Sequence, residues 1–164
     1  MKKYNIQNYI RYKNDVEVAV RRLPRIPLDE YTREELIIKF MPLVENIARK
    51  FSTSQQASGV MTILDMIQSG NLGLIQAVKK LDYEKLKESE DMEKTLKSFF
   101  SKRIKGSIRR QIDNNRGSIR IPEHKLNEIR KNFGKDKRMV EMFFNSVFLS
   151  IDANPSDEDM VYQI

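Results

Sequence analysis

Apolar residues along this chain return at three- and four-residue steps in several separate runs, the period of helices packed through one face. In the first run, Leu36, Ile37, Phe40, Leu43, Val44, Ile47 and Phe51 keep that spacing. Thr32 followed by Glu35 makes a capping box at its start. Pro42 falls inside the run, and its missing N–H is expected to kink the helix or divide it near Phe40–Met41. Ser52 to Val60 is polar, contains Gly59 and reads as a loop. A second helix is predicted to start near Asp65, with Ile63, Leu64, Ile67, Leu74, Ile75, Val78 and Leu81 as its apolar positions. Gly70 and Gly73 lie within it at a cost of roughly 1 kcal/mol each relative to Ala. Glycines so placed allow close helix packing or mark a bend.

Asp82 to Glu93 is densely charged without a period and reads as a connection. Leu96, Phe100, Ile104, Ile108 and Ile112 then recur every four residues, one stripe of a third helix from about Lys94 to Asn114. Asn114-Asn115-Arg116-Gly117 stops it. Ile119–Pro122 is expected to be extended, because a residue before proline avoids the helical region. Pro122 suits the first turn of a helix over Glu123–Asn132. A last helix, Asp136–Leu149, is apolar on most of its circumference. There is no repeat and no sustained alternation of apolar and polar residues, so the expected fold is all-α. It is read as a compact multi-helix bundle with a short C-terminal helical extension.

Charge sharpens this picture once it is divided along the chain. Residues 1–96 carry sixteen basic and fourteen acidic groups, a net of +2. Residues 97–138 carry fourteen and four, a net of +10, and residues 139–164 carry five acids with no Lys or Arg. So local an excess reads as a basic face, the footprint of a polyanion partner, because neutralising phosphates releases condensed counterions. A solvated helix face is the plain alternative.

Candidate chemistry is sparse. The chain has no cysteine and one histidine, His124, which leaves no thiol nucleophile and no His/Cys metal cluster. Carboxylate pairs such as Glu34/Glu35 and Glu88/Glu90 lie on polar stretches where nothing apolar would raise a carboxyl pKa. Ser69-Gly70-Asn71-Leu72-Gly73 lacks the strand that would make it a phosphate loop. No catalytic residue, metal or cofactor is expected, and the chain is not expected to be an enzyme. The start lacks a secretory pattern and no apolar run is long enough for a membrane, so the expected location is the cytoplasm.

Three segments, in order, resemble the core-binding and DNA-binding region (region 2) of the sigma factors of bacterial RNA polymerase. They are Leu36-Ile37-Ile38-Lys39-Phe40-Met41-Pro42-Leu43-Val44-Glu45-Asn46-Ile47-Ala48, then Asp65-Met66-Ile67-Gln68-Ser69-Gly70-Asn71-Leu72-Gly73-Leu74-Ile75-Gln76-Ala77-Val78, then Ser98-Phe99-Phe100-Ser101-Lys102-Arg103-Ile104-Lys105-Gly106-Ser107-Ile108-Arg109-Arg110 closing in Ile119-Arg120-Ile121-Pro122-Glu123-His124. The resemblance covers about residues 32–127. It implies that the second segment grips the coiled coil of the largest polymerase subunit, through Asp65, Gln68, Asn71, Leu72 and Ile75. Gly70 and Gly73 would let that partner helix approach.

The third segment would bind the single-stranded promoter −10 element and help open it. Its outward cations Lys102, Arg103, Lys105, Arg109 and Arg110, with Arg116, Arg120 and His124 beyond, would meet DNA. Phe99 and Phe100 stand where the family holds flipped-out bases, and an aromatic stack contributes about 1–3 kcal/mol per base. Phe100 is also on the apolar stripe, which favours the core; Phe99 fits either role.

The chain departs from the primary sigma pattern in having Lys102 and Arg103 in place of a tryptophan pair, as alternative sigma factors do. Nothing after residue 133 resembles the helix-turn-helix domain that reads the −35 element. The division read from sequence is 1–31 N-terminal extension, 32–121 core-binding and −10-binding domain, 122–149 C-terminal helices, and 150–164 an acidic tail. Met142, Phe143, Phe144 and Phe148 on the last helix either pack on the chain's own domain or dock on a partner, and docking on an accessory factor is the expected use; the reduced layout resembles the late-gene sigma factors of tailed phages, which rely on an accessory contact instead of −35 reading. A sigma mimic that occupies the polymerase coiled coil without initiating, and a polymerase-independent helical DNA-binding repressor, are the competing readings.

Overall fold

A computed structural model of the chain describes residues 2–53, 61–87, 91–115, 120–132, 135–138 and 141. Among the described residues there are six helices and no strand: α1 (Lys2–Arg21), α2 (Arg33–Ser52), α3 (Ile63–Lys79), α4 (Tyr83–Lys87), α5 (Met92–Asn115) and α6 (Glu123–Lys131). The all-α architecture expected from the apolar period is therefore the one found. Most of the loop 52–60 and of the helix read over 136–149 lies outside the described residues, as do Arg116, Met142, Phe143, Phe144, Phe148 and the acidic tail. The chain divides into two compact units, residues 1–112 and 113–164.

Helix starts follow local chemistry. Thr32 caps α2 in both directions: its hydroxyl accepts the Glu35 N–H (3.3 Å), and its own N–H donates to Glu35 Oε2 (2.9 Å). Thr62 and Asp65 repeat the motif on α3, which begins two residues earlier than the apolar pattern suggests. Asp91 Oδ1 accepts the Lys94 N–H at 2.9 Å and opens α5. Each such cap satisfies amides with no partner inside the helix, typically for about 1 kcal/mol. Pro42 does not divide α2, which runs through it as one helix. The N–H it lacks deprives Ile38 of one helical bond, but Phe40, Val44, Ile47 and Ala48 on the same helix are buried and hold both sides of the proline to the core.

In the first unit, α2, α3 and α5 meet along a core that includes Leu36, Val44, Leu74, Val78, Leu96, Phe100, Ile104 and Ile108, all with no exposed surface. Burying a side chain of this size is worth roughly 1.5–3 kcal/mol. Phe40 and Phe100 meet edge to face, with centroids 4.9 Å apart and planes at 70°. The five-residue α4 falls in the stretch read as a plain connection; it buries Leu86, which helps close the core.

Helix α1 was not marked by the apolar pattern. It lies against α2 and α3, with Tyr9 and Tyr12 packed on the core; Val16, four residues on, is buried as well. Ile6, Ile10 and Val18 remain exposed. The Tyr9 hydroxyl donates to the buried Glu45 carboxylate at 2.5 Å. Burial pushes the Tyr9 phenol pKa up, the Glu45 bond and charge add to this, and Arg49 opposes it. In the second unit, α6 buries Leu126 and Ile129 and follows Pro122 at its N-cap; Arg130 is ion-paired with Asp113.

Candidate polymerase- and DNA-binding faces

Two of the three glycines that can be placed are structural. A Cβ built on Gly70 would stand 2.5 Å from Val44 Cγ1 and 3.3 Å from Ile108 Cδ1. One built on Gly73 would stand 2.7 Å from Ser107 Cβ and 3.2 Å from the Arg103 carbonyl oxygen. These glycines thus bring α3 against α2 and α5 of this same chain, the close helix packing expected of them, and not against the external helix that the resemblance implied. The Ser107 hydroxyl donates to the Ser69 carbonyl oxygen at 2.7 Å across that closest approach.

With that side of α3 committed to the core, the opposite side is open. Asp65, Gln68, Leu72 and Gln76 are exposed, Leu72 at 60%, the largest value for a large apolar side chain among the described residues. Steps of three and four residues place them on one face. Asp65 also serves the helix cap, where its Oδ2 accepts both the N–H (2.9 Å) and the hydroxyl (2.6 Å) of Thr62. Ile75 and Asn71 are half-buried at the margin of this face. The Asn71 side chain and the Tyr12 hydroxyl are buried beside each other, and no hydrogen bond of ordinary geometry reaches Asn71 Oδ1 or the Tyr12 hydroxyl. Burial raises the Tyr12 phenol pKa; the neighbouring Asn71 amide lowers it and the Glu45 charge raises it further.

On α5, the apolar stripe is fully buried and the cations around it are exposed: Lys102, Arg103, Lys105, Arg109 and Arg110. The Arg109 guanidinium lies 6.0 Å from the Phe51 ring centroid, and that of Arg103 lies 5.5 Å from Phe99. Phe100 has no exposed surface, so of its two sequence roles the geometry supports packing; a ring with no free face cannot stack on a base. Phe99 is half-buried, tilted by 57° against Phe100 with centroids 5.7 Å apart, and keeps part of its surface open. In the second unit Arg120 and His124 are exposed.

Between α3 and α5 the surface sinks into a groove of about 220 Å3 whose walls include Lys80, Lys102, Arg103, Gly106, Ser107 and Arg110. Sequence reading did not single out Lys80, Gly106 or Ser107. The one signal available was a glycine amid an otherwise regular amphipathic helix. A Cβ on Gly106 would meet nothing within 4 Å, so no packing contact accounts for the roughly 1 kcal/mol that a mid-helix glycine costs relative to Ala. Among the described residues no group of three or more acidic or histidine side chains could hold a metal, and no helix is long and apolar enough to cross a membrane.

No family model matches the chain. Its sequence is similar to the RNA polymerase sigma factor SigA of a Bacillus species, 27% identical over an alignment of 149 positions, with 80% of this chain and 36% of the relative covered. It is also similar to the RNA polymerase sigma factor SigA of Clostridium acetobutylicum, 32% identical over 114 residues, 69% of this chain and 27% of that protein. The chain thus spans about a third of the length of these curated relatives. The similarity supports a place in the sigma-factor family.

Proposed function

We propose that the chain acts as a sigma-type transcription initiation factor, docking on the RNA polymerase core through the open face of α3 and carrying the cations of α5 to promoter DNA. The observation that carries this reading is the two-sided use of α3. One side is locked into the bundle by Gly70 and Gly73, while the other presents Asp65, Gln68 and a 60%-exposed Leu72. An apolar residue held open in a polar frame is suited to a helix-to-helix contact with a partner. The partner proposed is the coiled coil of the largest polymerase subunit.

For DNA, the dense exposed cations of α5 favour an initiating factor over a mimic that only blocks the polymerase, because a blocker has no use for them. Lys102, Arg103, Lys105, Arg109 and Arg110 would meet backbone phosphates, which position DNA without reading sequence. Phe99 is the aromatic available for a flipped base of a single-stranded −10 element. Arg120, His124 and Arg116 would extend the contact. An accessory factor on Met142, Phe143, Phe144 and Phe148, and a cytoplasmic site of action, complete the proposal. The chain, mixed with purified core polymerase, is expected to direct runoff RNA from a template with an AT-rich −10-like sequence. Holoenzyme that forms without opening any promoter would leave the blocking mimic as the function; tight duplex binding with no need of polymerase would leave the repressor.

A further inference from the structure

We propose that the outer face of α1 is a docking surface for an acidic amphipathic helix of a regulatory protein distinct from core polymerase. The polymerase and DNA reading above uses no residue of α1, so the inference stands apart from it.

The described residues leave four large apolar side chains exposed. One is Leu72 on α3; the other three, Ile6 (58%), Ile10 (51%) and Val18 (45%), all lie on α1. A single exposed aliphatic needs no explanation, whereas a set gathered on one helix does. Ile6, Ile10, Asn14 and Val18 follow one another at four-residue steps and so form one ridge. Arg22 continues it past the end of the helix, with its N–H still donating to the Val18 carbonyl oxygen at 3.3 Å. Ile10 stands two residues from the inward Tyr12, and Val18 two from the buried Val16. Two residues are more than half a turn, so the ridge is turned away from α2 and α3. Isoleucine and valine also form helices less readily than alanine. Neither the bundle nor the helix itself therefore accounts for them on this face.

What flanks the ridge identifies the partner. Lys13 lies three residues from Ile10, Arg11 three from Asn14 and Arg21 three from Val18, and all three cations are exposed. With Arg22 they make four cations against two acids, Asp15 and Glu17, so this stretch has a net charge of +2. Glu17 is moreover paired with Arg21 at 3.7 Å. An aliphatic ridge set among cations complements a helix whose own aliphatic ridge is set among carboxylates. A second copy would bring cations against cations. Phosphates gain nothing from three aliphatics, and the Trp, Phe and Leu that seat interfacial helices in a bilayer are absent from α1. The ridge also faces away from α3, where the polymerase is proposed to sit, which leaves it to another protein.

The test uses the full chain and a synthetic helical peptide with leucines at four-residue steps flanked by glutamates. A scrambled peptide of the same composition and a peptide with lysines in place of the glutamates serve as controls. Only the ordered acidic peptide is expected to bind, more weakly as salt is raised, with amide shifts concentrated on residues 6–22. Ile10→Ser and Val18→Ser are each expected to weaken it about tenfold. The double variant Arg11→Gln/Lys13→Gln should lower both the affinity and its salt dependence. Ile10 and Val18 are exposed, so the thermal midpoints of their variants and their capture of core polymerase should match those of the natural chain. Equal binding of the scrambled peptide, shifts confined to α5, or no binding at millimolar peptide would overturn the proposal. Three further results would also overturn it by giving the ridge another occupant. A dimer that Ile10→Ser dissolves would assign it to a second copy, and capture by phosphatidylglycerol vesicles that Ile10→Ser abolishes would assign it to a membrane. Loss of core capture in Ile10→Ser would assign it to the polymerase.

Discussion

Gly70 on α3 and Val44 on α2 approach so closely that a Cβ on the glycine would stand 2.5 Å from Val44 Cγ1. Val44 has no exposed surface and cannot retreat. Gly70→Ala should therefore destabilise the chain by about 1–3 kcal/mol through overpacking, despite the better helix propensity of alanine. Gly106→Ala should stabilise it by about 0.5–1 kcal/mol. Urea unfolding of the two variants side by side checks both signs, and two shifts in the same direction would contradict the packing described.

Tyr9→Phe should loosen α1 from the bundle. The buried Glu45 carboxylate loses its phenol donor, a loss of about 1 kcal/mol because Tyr9 itself is half-exposed. The phenol pKa values of Tyr9 and Tyr12 are both raised above 10.0, first by burial. A raised native pKa means that the contribution is intact below pH 10 and is lost as the pH climbs through the native values. Hydrogen exchange of the α1 amides should thus accelerate on going above pH 10, and less so in the double variant Tyr9→Phe/Tyr12→Phe. Equal acceleration in both would assign the effect to other groups.

Glu35 moves in the opposite direction. Its bonds from the Thr32 N–H and hydroxyl hold its carboxyl pKa below the usual 4.5. The stabilisation is present above 4.5 and disappears as the pH falls through the lower native value. Glu35→Ala should be less stable than the natural chain at neutral pH, and the difference should close in acid. Parallel unfolding midpoints at all pH values would show that the capping box contributes nothing.

Much of this was legible from residue order, and what was not has identifiable causes. The stripe of α5 was plain because five large aliphatic and aromatic residues repeat at one step and all five are buried. The capping box at Thr32 was equally plain, since it is local in sequence. Helix α1 was hidden because its inner face is largely tyrosine while Ile6, Ile10 and Val18 face outward, which blurs the period. A glycine's role depends on its spatial neighbour, so sequence could note Gly70 and Gly73 but not that Val44 and Ser107 are what they accommodate. Pro42 does not divide its helix because one lost helical bond is small beside the five buried apolar residues of α2.

Along the outward bank of α5, Lys105 and Arg109 are exposed on the flank away from the groove. Arg109→Ala should lower DNA affinity about equally for all sequences and reduce the salt slope by about 1, leaving association with core polymerase unchanged. Fluorescence anisotropy across a salt series, with a core pull-down in parallel, reads both. A changed sequence preference would make Arg109 a base-reading residue instead.

Polymerase binding can be separated from folding only if Asp65 is treated apart from Gln68 and Leu72. Asp65 accepts two hydrogen bonds from Thr62 at the start of α3, so Asp65→Ala should lose about 1 kcal/mol of stability along with any contact it makes to a partner. Gln68 and Leu72 are exposed, and neither has a cap to lose. Leu72→Asp should leave the urea midpoint nearly unchanged, because a 60%-exposed side chain carries little of the core. It should nonetheless place a charge at the centre of the proposed docking face and sharply reduce capture of core polymerase, with Gln68→Ala giving a smaller loss of the same kind. If Leu72→Asp still captures core as the natural chain does, the open face of α3 is not the docking surface, whatever Asp65→Ala shows.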